Sequence, residues 1–272
     1  MKNILYFDCL SGISGDMTIG ALLDLGVDQG KFIEELNKIN IEGYEISINR
    51  AQKNGITGTK FDVILENTQH HDHDHHHSHG DTHGHSHEHS HDHSHDHDHR
   101  NLHRIEKIIE ESTLNANVKE LSKKIFTYVA KAEAKVHDKP LEEVHFHEVG
   151  AVVSIVDIIG TAICIDLLNV DEIHASHIHV GTGFVKCAHG NIPVPAPATL
   201  EILKGIPVYS TGVRSELVTP TGAAIIKALA KEFAPMPEMT VEKIGYGLGT
   251  KDLEITNVLR ISMGKKKVKR NY

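Results

Sequence analysis

Residues 144–160 read Val144-His145-Phe146-His147-Glu148-Val149-Gly150 and then Ala151-Val152-Val153-Ser154-Ile155-Val156-Asp157-Ile158-Ile159-Gly160. The first half of this stretch places two imidazoles and a carboxylate within four residues. Because side chains alternate along an extended chain, His145 and His147 would lie on one face and could reach one ion. With Glu148 they suit nickel, zinc, iron or copper better than magnesium or calcium. A pair of hydrogen-bonded histidines at a loop is the alternative that the motif by itself leaves open.

The second half begins the most apolar run of the chain, which extends from Ala151 to Leu168. Its length suits a membrane span, but Asp157 and Asp166 favour a helix that is buried in a protein core. Periodicity predicts strands at 3–7, 44–50, 60–66 and 173–180. It predicts helices at 18–25, 31–39, 102–109, 154–168, 198–204 and 223–231, with another after Asn117. Residues 245–249 are predicted to form a glycine turn between strands. This alternation predicts an α/β fold in which helices flank a mixed sheet.

Composition narrows the class of protein. The 272 residues allow one large or two medium domains. The net charge of −9 includes seven acids in one histidine-rich segment, so the remainder is nearly neutral and predicts neither nucleic-acid nor membrane binding. The three cysteines form no CxxC motif, and there is no secretory signal, so we expect a cytoplasmic protein with reduced thiols. The sequence leaves open whether the chain forms a homo-oligomer.

The histidine-rich segment, 70–99, holds 16 of the 24 histidines and no Lys or Arg. With nothing to bury, it is predicted to be disordered without metal. An internal tract mixed with aspartate is unlike a purification tag, and we interpret it as a collector of divalent metal that loses affinity as imidazole protonates near about 6.5. The predicted ligands are His70, His71, His73, His75, His76, His77, His79, His83, His85, His87, His89, His91, His93, His95, His97 and His99.

A second candidate site follows the first predicted strand. The stretch Asp8-Cys9-Leu10-Ser11-Gly12-Ile13-Ser14-Gly15-Asp16 leads into a helix, an arrangement that presents backbone N–H groups to an anion. Gly12, Ser14 and Gly15 are the candidate phosphate contacts, and Asp8 and Asp16 are candidate metal ligands. A tight turn in which Asp16 caps the helix is the alternative.

Two further segments carry candidate residues. Thr219, Thr221 and Gly222 in the loop Glu216-Leu217-Val218-Thr219-Pro220-Thr221-Gly222 form a second possible anion seat, unless they only begin a capped helix. His189 lies on a glycine-bounded loop before alternating prolines and is a candidate site residue. His177 and His179 are predicted to share the solvent face of a strand, with a role as metal ligands as the alternative.

These motifs together resemble the nickel insertion protein of nickel-pincer cofactor synthesis, the LarC family. The resemblance rests on residues 8–16, 145–160, 188–199, 216–224 and 245–260. It implies insertion of nickel into pyridinium-3,5-bisthiocarboxylic acid mononucleotide, with nickel–sulfur and nickel–carbon bonds, use of CTP with Mg or Mn, and a product that serves lactate racemase. Val153 and Thr256 depart from the family, where an acid and a proline are common.

In this reading the tract collects nickel and passes it to a catalytic cleft near His145, His147, Glu148 and His189. The expected parts of the chain are 1–69 and 101–264 as one α/β domain, 70–100 as the insertion and 265–272 as a basic tail. The family commonly continues into a CTP-binding C-terminal domain. Because consecutive lysines can be encoded by adenine runs that promote slippage, we expect that domain to be fused by ribosomal frameshifting or supplied as a separate chain. A nickel or zinc storage protein or metallochaperone, and a metal-dependent hydrolase, are the alternative functions.

Overall fold

The computed structural model describes residues 1–66, 101–144, 146, 152–187 and 190–267. Its helices are α1 (Gly15–Leu25), α2 (Gln29–Leu36), α3 (Leu102–Glu111), α4 (Ala116–His137), α5 (Val152–Leu168), α6 (Pro197–Ile202) and α7 (Pro220–Leu229). Its strands are β1 (Lys2–Asp8), β2 (Tyr44–Lys53), β3 (Ile56–Leu65), β4 (Glu172–Ala175), β5 (Ile178–His179), β6 (Phe184–Cys187), β7 (Gly190–Pro193), β8 (Val208–Tyr209), β9 (Glu232–Phe233), β10 (Thr240–Leu248) and β11 (Val258–Lys266).

Strand β1 lies inside a mixed sheet with the order β2-β3-β10-β11-β1-β4-β9. It pairs antiparallel with β11 and parallel with β4. Ile4 to Asp8 are all buried, since both faces of the strand are covered, which explains their nearly continuous apolar pattern. The prediction of an α/β fold with a mixed sheet is confirmed.

Helix α1 packs directly on the sheet through glycines in β10. A Cβ atom on Gly247 would lie 1.8 Å from the carbonyl oxygen of Met17, and one on Gly245 would lie 2.2 Å from that of Ala21. The predicted glycine turn at 245–249 was therefore wrong. These glycines lie within a strand, where the missing side chains admit the helix backbone.

Helix α5 is the buried helix that the apolar run predicted. Ile155 to Cys164 are all buried, and α5 contacts α1, α2, α4 and α7. Among the described helices, none is long and apolar enough to cross a bilayer. An α-helix that is apolar on every face needs protein on every side, which this central position supplies.

The segment 173–180 does not form the single predicted strand. It divides into β4, which belongs to the large sheet, and β5, which pairs with β8. The backbone carbonyl of Phe7 accepts from Ser176 N, and that of Cys9 accepts from His179 N, so the chain leaves the sheet between them. His177 is exposed as predicted, but His179 is only 2% exposed and does not share its face.

The β6–β7 hairpin was not predicted, because the alternating prolines that start at its last residue, Pro193, suggested unpaired extended chain. The histidine-rich segment 70–99 and the tail from 268 lie outside the described residues, and the predicted division into parts remains a prediction. The hairpin of β2 and β3, the helices on either side of it and α3 to α5 were all predicted within a few residues.

Replacing Gly247 with alanine tests the close approach of α1. The added methyl group would collide with helix backbone that cannot rotate away, so we expect a loss of about 1–3 kcal/mol in the free energy of unfolding. Urea denaturation provides the measurement. Gly30→Ala in the exposed part of α2 is the matched control and should change stability by less than about 1 kcal/mol. Equal stability of the two variants would contradict this packing.

Candidate functional site

The carboxyl end of β1 carries an ion pair with β11. The Asp8 carboxylate, 7% exposed, accepts from both Nε (3.0 Å) and Nη2 of Arg260, whose own side chain is 43% exposed. The hydrogen bond to Asp8, with a further one to Tyr246, raises the pKa of Arg260. Arg260 is therefore a fixed cation with part of its guanidinium open to solvent.

The two predicted anion seats lie against each other. Ile13 N donates to Leu217 O at 3.0 Å and Thr219 N donates to Ile13 O at 3.2 Å, so the glycine loop and the Thr-Pro-Thr-Gly loop form a small bridge. A Cβ on Gly222 would lie 2.2 Å from Ile13 O, and one on Gly12 would lie 1.9 Å from Leu217 O. Side chains at either glycine would force the loops apart.

Each loop begins a helix, as predicted, but the caps differ. The Thr219 side chain accepts from Gly222 N at 3.1 Å, which uses one of the amides of that predicted seat, and Thr221 is only 6% exposed. Ser14 makes no side-chain cap hydrogen bond at α1, and its hydroxyl donates to Asp16. The first amides of α1 therefore remain the better supported of the two candidate anion contacts.

A buried acid lies beneath the start of α1. A Cβ on Gly15 would lie 2.4 Å from Oδ2 of Asp157, a residue of α5 that is 7% exposed. Its Oδ1 has no hydrogen-bond partner in the part of the chain that is described. Burial is the main cause that raises the pKa of this carboxyl well above its usual range; the charge of Asp16 adds to the effect and that of Lys60 opposes it.

Lys60 of β3 links two partly exposed acids in this region. Its Nζ contacts the Asp62 carboxylate and lies 3.8 Å from Oδ2 of Asp16. Asp16 was predicted as a metal ligand or a cap. In the structure it accepts from Ser14 and lies near this lysine, and its role as a ligand remains a prediction.

His179 fixes the first loop from the other side. Its Nδ1–H donates to Leu10 O at 2.7 Å, and its Nε2 accepts from Thr211 Oγ1 at 2.9 Å. The ring stacks on Tyr209 with centroids 4.8 Å apart. Both nitrogens are occupied, so His179 positions the loop rather than offering a lone pair to a metal.

The described thiols do not supply a metal site. Burial raises the pKa of Cys9, at the end of β1, and of Cys164, in α5, so neither forms a thiolate readily. Among the described residues, no group of three His, Cys, Asp or Glu side chains is arranged to hold an ion. His145, His147, Glu148, His189 and the tract histidines all lie outside that part of the chain and remain predicted site residues.

Three described residues, Phe146, Cys187 and Gly190, lie next to those predicted site residues in the sequence. Phe146, between the two histidines, is 2% exposed and packs on Phe126 of α4 with ring centroids 6.4 Å apart. Cys187 and Gly190, on either side of residues 188 and 189, are the last paired residues of the β6–β7 hairpin.

A cavity of about 790 Å³ opens at the opposite end of β1. Its Glu172 carboxylate accepts from Lys2 and Lys231 and contacts His174, and these partners hold the pKa of Glu172 well below its usual range. Because none of the motifs lies there, we place the candidate site at the carboxyl end of β1.

Comparison with known proteins decides the family. A family described as "Nickel insertion protein" matches residues 5–272. The chain belongs to the nickel insertion protein family. No solved structure matches it significantly.

Curated relatives in this nickel insertion family have a more specific name. The chain is 58% identical to the pyridinium-3,5-bisthiocarboxylic acid mononucleotide nickel insertion protein of Clostridium acetobutylicum, over 96% of this chain and 64% of the relative. It is 52% identical to the protein of the same name from Acetivibrio thermocellus, over 98% of this chain and 61% of the relative. The chain thus spans less than two thirds of the length of these relatives.

Asp157 and His179 are two residues whose place at the site the sequence did not predict. Asp157 carried a signal, since it interrupts an apolar run, but that signal indicated only a buried helix. His179 carried no local signal of its buried position, because its hydrogen-bond partners come from loops 169 and 32 residues away.

We expect the free energy of unfolding to fall by unequal amounts when the Asp8–Arg260 pair is broken by replacing one partner or the other. Arg260→Met leaves a buried carboxylate without its cation and should cost about 2–4 kcal/mol, less than a fully buried pair because Arg260 is partly solvated. Asp8→Asn leaves an arginine that water can reach and should cost about 1 kcal/mol. Chemical denaturation of both variants measures the difference, with Lys123→Met at an exposed pair as the unaffected control. A larger loss for Asp8→Asn would contradict the burial assigned to these partners.

Proposed function

We propose that this chain inserts nickel into pyridinium-3,5-bisthiocarboxylic acid mononucleotide, as the family resemblance implies and as the names of the relatives state for those proteins. Nickel is a substrate in this reaction. Two nickel–sulfur bonds and one nickel–carbon bond form, and the ring carbon loses its proton. The product would be the nickel-pincer cofactor of enzymes such as lactate racemase.

The observation that carries the proposal is the meeting of distant segments at the carboxyl end of β1. Asp8 pairs with Arg260, Ile13 bridges to Val218, and Gly15 contacts Asp157. These contacts join four of the five motifs on which the resemblance rests. Sites in open α/β folds commonly lie at this edge of the sheet, where loops leave the strands.

The charges at this edge suit a substrate with a cationic ring and anionic substituents. The open side of Arg260 and the first amides of α1 are available to phosphate or thiocarboxylate groups. The acids Asp16 and Asp62 nearby favour a positive charge. We assign nickel handling to His145, His147, Glu148 and His189, with the nucleotide phosphate at the glycine loop or the Thr-Pro-Thr-Gly loop.

The proposal includes CTP, with Mg or Mn, as the nucleotide that drives insertion. We assign its site to a C-terminal domain, as the resemblance implies, within the part of the longer relatives that this chain does not cover. The 272-residue chain alone would then bind the mononucleotide and nickel but would not carry out CTP-driven insertion. Its supply by frameshifting or as a separate chain is part of the same hypothesis.

Mass spectrometry of the mononucleotide provides the test. The chain is incubated with mononucleotide, nickel and CTP, alone and with the purified C-terminal portion of the Clostridium acetobutylicum relative. We expect a nickel-containing product only in the complemented reaction, and none when His145 and His147 are both replaced by alanine. Complemented wild-type chain that binds no mononucleotide and forms no product would refute the proposed function.

The histidine tract gives a second candidate, metal storage without chemistry. Deletion of residues 70–99 separates the two functions, since storage requires the tract whereas insertion needs it only to gather scarce metal. We expect the deleted chain to bind far less nickel, keep its circular dichroism spectrum and insert nickel normally when the metal is abundant. A wild-type chain that binds nickel through the tract but forms no insertion product, even with nickel and CTP in excess and the C-terminal portion supplied, would favour storage.

A further inference from the structure

Tyr246 and Arg260 lie side by side on the face of the sheet that α1 does not cover. The Cβ positions of Gly245 and Gly247 point at the backbone of α1, so the Tyr246 side chain between them points to the other face. Tyr246 is directly opposite Arg260 in the β10–β11 ladder, and Arg260 is directly opposite Asp8 in the β11–β1 ladder. Because residues that are directly opposite share a face, these three side chains form one row across the carboxyl end of β1.

The hydrogen bonds described for Arg260 leave part of its guanidinium group unused. Nε–H and one Nη2–H donate to Oδ2 of Asp8, and a further hydrogen bond joins the group to Tyr246. A guanidinium group has five N–H donors, so two remain for a ligand. The Arg260 side chain is 43% exposed, whereas the Asp8 side chain that fixes its plane is only 7% exposed. The two remaining donors are therefore held in one orientation and are open to solvent.

Aromatic and apolar side chains border this guanidinium group. Tyr246 is half-buried, and Ile244, two residues earlier on the same face, is 48% exposed. Burial and then the charge of Asp8 raise the pKa of Tyr209, so its hydroxyl is neutral and lies near the ion pair. Leu10, two residues beyond Asp8, is 54% exposed. The planar cation thus lies on an open surface beside aromatic rings, which suits a ligand that is itself a flat ring.

The charges of this surface favour a planar monoanion on a cationic ring. Arg260 and Asp8 together carry no net charge, so they give little long-range attraction to a phosphate dianion. Two N–H groups in one plane match the two terminal atoms of a carboxylate or thiocarboxylate group. A positive ring attached to that group would lie near the charge of Asp8 and the faces of the tyrosines, and both favour a cation.

We propose that Arg260 binds a ring thiocarboxylate group of the mononucleotide and that Asp8 positions it, an assignment that rests on the function proposed above. The two N–H groups donate to the oxygen and the sulfur of that group, and the sulfur keeps lone pairs with which to bond nickel. The Tyr246 oxygen accepts from Arg260, which leaves its O–H proton for the ligand. Arg260 thereby determines specificity, because it favours pyridinium nucleotides with an anionic ring substituent over those with a neutral one.

Calorimetric titration with two mononucleotides tests this assignment without nickel or CTP. Nicotinic acid mononucleotide carries a ring carboxylate that stands in for the thiocarboxylate. Nicotinamide mononucleotide has the same phosphate and cationic ring but carries a neutral carboxamide. We expect the wild-type chain to bind the carboxylate ligand about 10- to 100-fold more tightly, the usual effect of hydrogen bonds to a charged group.

Arg260→Lys is the decisive variant, since it keeps a cation beside Asp8 but removes the planar fork. The preference for the carboxylate ligand should fall below about threefold, while affinity for the carboxamide ligand stays within about twofold of wild type. Tyr246→Phe, which leaves the ion pair intact, should weaken only the carboxylate ligand, by about two- to tenfold. Arg104→Lys makes the same exchange at an exposed position of α3 and should leave the preference unchanged. Circular dichroism spectra check the fold of each variant.

Several outcomes would overturn the assignment. An Arg260→Lys chain that retains the full preference would show that Arg260 does not contact the ring substituent. Equal loss of affinity for both nucleotides would show that Arg260 holds the phosphate instead. A wild-type chain that binds the two nucleotides alike, or binds neither, would also contradict the assignment.

The insertion reaction separates this assignment from the proposed function. With the C-terminal portion of the Clostridium acetobutylicum relative supplied, Arg260→Lys should raise KM for the dithiocarboxylate mononucleotide about tenfold or more and leave kcat nearly unchanged, because it removes binding and not chemistry. If wild type forms no product yet distinguishes the two nucleotides, the proposed function fails and Arg260 still recognises a ring anion. If wild type inserts nickel but does not distinguish them, the function stands and the assignment of Arg260 is wrong.

Discussion

The close packing of α1 between the sheet and α5 is the constraint on which the rest of the structure depends. Gly245 and Gly247 remove side chains from the sheet side of the contact, and Gly160 does so on α5, where a Cβ would lie 2.8 Å from Ile19. Because an interior this dense has no room for an extra methyl group, the helix has one available position. That position sets where the loop before the helix begins.

The loop is then held from three other directions. The Thr-Pro-Thr-Gly loop bonds to Ile13, His179 bonds to Leu10, and Ser176 Oγ accepts from Cys9 N at 2.9 Å. Such support from several elements is what a site requires if its backbone amides and carboxylates are to keep their geometry before a substrate arrives. The rigid part of the site is therefore the backbone of this loop, which these hydrogen bonds hold in place, and the reactive groups lie around it.

Charge is arranged unevenly around this support. Arg260 offers a cation on one side of the loop, while Asp16, Asp62 and Asp157 surround the start of α1. A mononucleotide with a cationic ring and anionic sulfur and phosphate groups needs both signs of charge within one site. Burial raises the pKa of Asp157 and so favours its uncharged form, which lessens the repulsion between this carboxyl group and Asp16. This arrangement links the fold to the proposed insertion chemistry.

The sequence by itself determined the elements whose signals are local. The buried β1 run, the period of α4, the apolar α5 and the helix that begins at Pro220 were all predictable, since periodicity and capping depend on neighbours in the chain. Motifs also pointed to the family and to the loops at the site. Tertiary structure alone decided the partners, since Asp8 and Arg260 are 252 residues apart. The glycines of β10 suggested a turn because the helix that packs against them lies more than 200 residues earlier in the chain. Which acid becomes buried beside Gly15, and which histidine is locked rather than exposed, depends on packing between distant segments that no local pattern records.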